Sequence, residues 1–124
     1  MRQSKEEKKI QASILKALRQ IEGCTIFAHT ASPYAPTGHS DTYGSIWGWS
    51  IWGEVKVPGE EPSKIQAAFL RQVGRDSIYK NTFVWYDAKQ AVNDILQLSR
   101  LVKGKVASNT LRVTPPPIIP QSMC

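Results

Sequence analysis

The run from Gly38 to Lys56, GHSDTYGSIWGWSIWGEVK, constrains this chain most. Its end, Ser50-Ile51-Trp52-Gly53-Glu54-Val55-Lys56-Val57, sets apolar β-formers around one carboxylate and one amine, which predicts a strand. Side chains alternate along a strand, so Glu54 and Lys56 share one face and Val55 takes the other. A second short apolar run, Tyr43 to Trp47, precedes it, and Gly48 and Trp49 between the runs supply a hairpin turn. Such a hairpin brings Asp41, at the mouth of the first run, beside Glu54. Two carboxylates about 4 Å apart at a partly desolvated site repel by roughly 4 kcal/mol. A bound divalent cation is the usual reason for a fold to keep such a pair.

The rest of the chain supplies layers for that hairpin. Ile10, Ile14, Leu18 and Ile21 recur at helical spacing and predict an amphipathic helix over 4–21. Ser4 and Glu7 match a capping box at its start, and Gly23 ends it. Cys24 to Ala28 predicts a short strand, and the turn formers of 29–37 a loop. Pro58-Gly59 breaks the strand that carries Glu54. A second helix is expected from about Pro62 to Gly74, with Ile65, Ala68, Phe69, Gln72 and Val73 facing inward. Ser77 to Tyr86 predicts a strand, and Asp87 caps a last helix over 88–101. The order helix, strand, strand, strand, helix, strand, helix is that of an α/β domain with a mixed sheet flanked by helices.

At 124 residues the chain has room for one domain with a modest core. We place that domain over 1–102. The basic, proline-rich 103–124, with Thr114-Pro115-Pro116-Pro117, is expected to be an extended tail. The net charge of +6 favours a polyanionic partner such as nucleic acid. Cys24 and Cys124 form no disulfide framework, the charged start MRQSKEEKK carries no signal-peptide pattern, and no apolar stretch is long enough to cross a bilayer. A reducing cytoplasm is the expected compartment, without membrane association.

The pieces in their order resemble the virus-type replication-repair nuclease (VRR-NUC) family of the PD-(D/E)XK nuclease superfamily. The resemblance rests on Glu7 with Ile10-Gln11, then Gly38-His39-Ser40-Asp41, then Glu54-Val55-Lys56, then Pro58-Gly59 and Ser63-Lys64-Ile65-Gln66. It spans Glu7 to about Ile95. Ser40 stands where the family usually has proline, which predicts a less rigid approach to Asp41.

The resemblance implies a restriction-endonuclease-like αβββαβα core. It also implies a Mg²⁺-dependent phosphodiester hydrolase, with Mn²⁺ as a substitute, acting on DNA. Asp41, Glu54 and the Val55 carbonyl would ligate the cation, and Glu7 a second one. Lys56 would act on the attacking water or the transition state, and Gln66 would hydrogen-bond to that water or to Lys56. Small stand-alone members look like phage-encoded resolvases that cut branched DNA as homodimers, in the host cytoplasm. A nicking or flap nuclease, or a non-catalytic nucleic-acid binder on the same fold, are the competing functions.

Each residue also has a plainer reading. Glu54 and Lys56 alone would be an ion pair on an exposed strand, against which Asp41 and Gln66 weigh. Asp41 also has a reading as a turn residue after Gly38, Gln66 as a solvated helix residue, and Glu7 as a capping partner. His39 suits a phosphate contact or the surface, and His29 a strand end. Trp47, Trp52 and Trp85 read as core or interface. Trp49, at the expected hairpin tip, reads as exposed for base stacking or dimer contact. Arg71, Arg75, Lys80, Arg100, Lys103, Lys105 and Arg112 read as solvated surface, of which some contact phosphates in a nuclease.

Overall fold

A computed structural model describes residues 4–29 and 40–105. Helix α1 (Lys5–Leu18) leads into β1 (Cys24–Ala28), β2 (Thr42–Ile46) and β3 (Trp49–Val55). Helix α2 (Lys64–Gly74) then crosses to β4 (Thr82–Trp85), and α3 (Ala88–Val102) closes the domain. The sheet order is β1-β2-β3-β4. The first two pairings are antiparallel and β3 with β4 is parallel, so the α2 connection is the crossover that a parallel pair requires. The αβββαβα order and the mixed four-stranded sheet are as expected from the sequence.

Strand alternation sorts the sheet into two faces. Ile26, Ile46, Ile51, Val55, Phe83 and Trp85 point to one side. There they meet Ile14, Leu15 and Leu18 of α1 and Ala91, Ile95, Leu98 and Val102 of α3 in a single core. The other face carries Phe27, Tyr43, Trp52 and Glu54, and α2 lies on its β3–β4 side, with Phe69 edge-on to Trp52 at 5.7 Å. Gly53 is needed where the faces meet, because a Cβ there would overlap the buried Trp85 ring and Thr42 Oγ1. Gly53→Ala is expected to cost about 1–3 kcal/mol, read as a lowered denaturation midpoint at unchanged m-value.

The boundaries differ from the sequence reading in four places. Helix α1 stops at Leu18, three residues early, because Gln20 and Ile21 bond back to Ala17 and Leu18 and tighten the last turn. The hairpin turn is Trp47-Gly48, with Trp49 already in β3. Both turn residues have positive φ, 51° and 83°, as a primed two-residue turn demands. Trp47 tolerates this because its Nε1 donates to Ser99 Oγ at 2.8 Å and Lys103 lies over its ring. Trp49 is half-buried against Tyr79, not exposed at the tip.

Helix α2 starts after Ser63, leaving Pro62 outside it. Its phase buries Leu70 and half-buries Gln66, Phe69 and Val73, while Ile65 is 56% exposed and Ala68 and Gln72 face solvent. Strand β4 is four residues long, because 77–81 form a connection anchored by Asn81 Nδ2 donating to Ser50 O. The expected loop over 30–37, His39 and the tail from 106 onward lie outside the described residues.

Candidate active site

The C-terminal end of β3 and the start of β2 meet, as the hairpin reading requires. Asp41 immediately precedes β2, and its Oδ2 accepts from the Val55 N–H at 2.8 Å. Asp41 is thus tied to the backbone between Glu54 and Lys56 and is no free turn residue. Ser40 supplies the constraint expected to be missing without proline. It is buried, and its Oγ donates to Thr42 O at 2.9 Å, bracing the backbone on both sides of Asp41. The Asp41 carbonyl also accepts from the His29 N–H at 2.9 Å, which ties β1 to the same corner.

Glu54 is 1% exposed, so it is no surface ion-pair residue. Its Oε1 accepts from Gln66 Nε2 at 2.9 Å, while no donor reaches its buried Oε2, and the carboxyl bonds to Asp41 only by carrying a proton itself. Gln66 is held by a capping box. Its Oε1 accepts from the Ser63 N–H at 2.9 Å, and its N–H donates to Ser63 Oγ. The Ser-x-x-Gln spacing is therefore a helix-start device that also aims an amide N–H at Glu54. Both ends of the Gln66 amide are committed in this way, which leaves Glu54, not Lys56, as its partner.

Burial pushes the Glu54 carboxyl up to about 9, the hydrogen bond to Asp41 and its charge add to this, and Lys56 opposes it. Glu7 is also raised, by burial first, with Lys56 opposing and Glu60 and Asp41 adding. Glu7 thus faces the same corner from α1. Its Ser4 cap bond runs from the Glu7 N–H to Ser4 Oγ, which leaves the carboxyl to the cluster. Glu60 is the residue the sequence reading missed. It is exposed and shares a hydrogen bond with Glu7 from the turn after β3, and nothing in the Glu60-Glu61 pair marks which of them reaches Glu7.

Among the described residues, no three His, Cys, Asp or Glu side chains are grouped to hold a metal ion. A cation here would rest on Asp41 and Glu54 with the Val55 carbonyl, and Glu7 does not complete a three-carboxylate cage with them. That smaller set fits Mg²⁺, which binds through one or two carboxylates and keeps several waters. The buried Glu54 Oε2 with no donor is the position such a cation would satisfy. Free Cys24 is half-buried, and burial raises its thiol to about 11, which removes it as a nucleophile.

The raised Glu54 carboxyl has a measurable consequence. Unfolded, Glu54 releases its proton near 4.5; folded, it holds the proton up to about 9. The folded state therefore binds more protons between these values, and this contribution to stability is full below the lower value and lost as pH rises toward the upper. The metal-free protein is expected to lose on the order of a few kcal/mol between mildly acidic and mildly alkaline pH. Saturating Mg²⁺ should restore most of it at the alkaline end, and thermal melts in EDTA and in Mg²⁺ across that range check this.

The fold and this corner define an α/β domain with a buried Glu54 against a half-buried Asp41, a lysine and a positioned glutamine at one end of a mixed sheet. The sequence matches no family model, and no curated protein or solved structure gives a significant match. Among the described residues, no helix is long and apolar enough to cross a membrane.

Proposed function

We propose that the chain is a metal-dependent nuclease that hydrolyses DNA phosphodiester bonds. The observation that carries this is Glu54: a carboxyl fully buried against a second carboxyl, Asp41, and aimed by Gln66, with one oxygen that no donor reaches. A structural site does not gain from an unpaired buried acceptor, whereas a cation site does. The order of Asp41, Glu54, Val55 and Lys56 and the αβββαβα element order support the same reading through the resemblance to VRR-NUC nucleases.

Bound between these groups, Mg²⁺ would offset phosphate charge and acidify a water. The chain's own residues do the rest. Val55 N–H fixes the Asp41 carboxylate, and Gln66 fixes Glu54, so neither needs to reorganise when substrate arrives. The Lys56 charge acts on both Glu54 and Glu7, so its ammonium is within electrostatic reach of a water or phosphoryl oxygen bound at the cluster. There it can orient the water or offset charge on the pentavalent phosphorus.

As a homodimer such a domain would supply the two cuts that a four-way junction needs. A panel of linear duplex, flap, bubble and four-way junction DNA, cut under single-turnover conditions, separates a resolvase from a nicking or flap nuclease. Selective paired cuts in the junction support the resolvase form; equal cutting of all four removes it. With a net charge of +6, DNA binding should weaken steeply with salt, by a logarithmic slope of roughly −0.9 for each phosphate contacted. Binding isotherms between low and physiological salt check this.

A further inference from the structure

The sheet face that carries Glu54 has a second feature. Phe27, Tyr43 and Trp52 stand directly opposite one another on β1, β2 and β3. Their ring centroids are 5.7 Å and 6.4 Å apart, with interplanar angles of 35° and 31°, so they form one tilted row. The row starts beside the acid centre, since Trp52 and Glu54 are neighbours on the same face of β3. It runs to the sheet edge, where Phe27 is 48% exposed. Helix α2 covers only the Trp52 end, through Phe69. The next row outward is Thr25, Ser45 and Ser50, so beyond Glu54 the face of β1–β3 bears hydroxyls and rings but no carboxylate.

We propose that the Phe27–Tyr43–Trp52 row is a stacking platform for the unpaired bases of a single-stranded DNA segment leading into the Glu54 corner. This rests on the nuclease reading and names its substrate class: DNA with a single-stranded arm or gap beside the scissile bond. Three observations select that occupant. Aromatic faces accept any base without sequence readout, and the hydroxyl row can donate to phosphates. Outward of the Glu54 corner, the β1–β3 face holds no acid that would repel a backbone, in a chain of net charge +6. The row is continuous with the corner where a phosphodiester would be cut.

Phe27 tests this best, because it lies at the edge and half exposed, where a substitution spares the core. Binding is read by anisotropy in Ca²⁺, with a short labelled oligothymidylate and a blunt duplex of equal length. Phe27→Ala should weaken oligothymidylate binding about tenfold and leave duplex binding unchanged. Phe27→Leu, which keeps apolar bulk without a π face, should behave as Phe27→Ala, and Phe27→Trp should retain full affinity. Equal losses for both DNAs, or no loss, would overturn the platform. So would sedimentation showing that Phe27→Ala only dissociates a dimer, which would give the face to a second copy of the chain. Wild-type protein that cuts nothing yet shows the Phe27 pattern would sink the nuclease reading and leave the platform standing.

Discussion

Glu54→Gln is expected to abolish DNA cleavage and to raise the melting temperature of the metal-free protein at alkaline pH, where Glu54 would otherwise ionise against Asp41. The two effects share one cause. Glu54 is buried against Asp41, and the pair is held together at a cost that a cation would offset. Glutamine is nearly isosteric. Its carbonyl can still accept from Gln66 Nε2, and its amide can donate to Asp41 as the protonated Glu54 carboxyl does, so at alkaline pH the corner keeps that hydrogen bond and avoids a repulsion. Each kcal/mol relieved raises the melting temperature by roughly 4–8 °C in a domain of this size. Cation affinity falls at the same time, because a neutral amide is a poor ligand for a hard cation. The cleavage rate should drop by at least about a thousandfold, and the melting temperature should lose its dependence on Mg²⁺. Asp41→Ala should also abolish cleavage, but with little stabilisation, since it leaves the Val55 N–H without its acceptor. A large fall in melting temperature for Glu54→Gln would assign the pair a structural role instead.

Lys56→Ala is expected to lower single-turnover cleavage by about a hundredfold or more while leaving DNA affinity in Ca²⁺ nearly unchanged. The Lys56 backbone is fixed by its N–H donating to Trp85 O at 3.0 Å, so the side chain starts from a rigid point at the end of β3. Its charge opposes the raised carboxyls of Glu54 and Glu7, so the ammonium lies within electrostatic reach of both. A group placed there stabilises charge that appears as phosphorus becomes pentavalent, and its loss is felt in the rate. A lysine serving only as one of several phosphate contacts gives the reverse pattern: weaker binding, a shallower salt slope and normal turnover at saturation. Cleavage and binding measured on the same variant separate the two.

The sequence carried the scaffold of this corner further than its details. Alternation from Ser50 to Val55 gave β3 and the opposed faces of Glu54 and Val55, because a half-buried strand writes its burial in every second residue. The caps Ser4 and Asp87 were readable for the same kind of reason, as each sits just before an apolar helical stripe. The phase of α2 was not, because a capping box at Ser63-Gln66 sets the helix start, and Ile65 draws attention to the wrong stripe. The turn at Trp47-Gly48 was misplaced by one residue, since tryptophan at positive φ contradicts its own preference and needs Ser99 and Lys103 to hold it. Ser40 illustrates a local rule replaced by a different device, a hydroxyl bond in place of a proline ring. Glu60 was illegible, because its contact with Glu7 depends on where the turn after β3 meets α1.

The central claim is that the Asp41–Glu54–Lys56 corner hydrolyses DNA with a divalent cation. Its most direct test is single-turnover cleavage of labelled junction, flap and single-stranded DNA by wild type and Asp41→Asn, in Mg²⁺, Mn²⁺, Ca²⁺ and EDTA. The account predicts cleavage by wild type in Mg²⁺ and Mn²⁺ only, binding without turnover in Ca²⁺, and no cleavage by Asp41→Asn in any of them. Cleavage that persists in EDTA or in Asp41→Asn, or no cleavage of any DNA by folded wild type with Mg²⁺ or Mn²⁺, would contradict it.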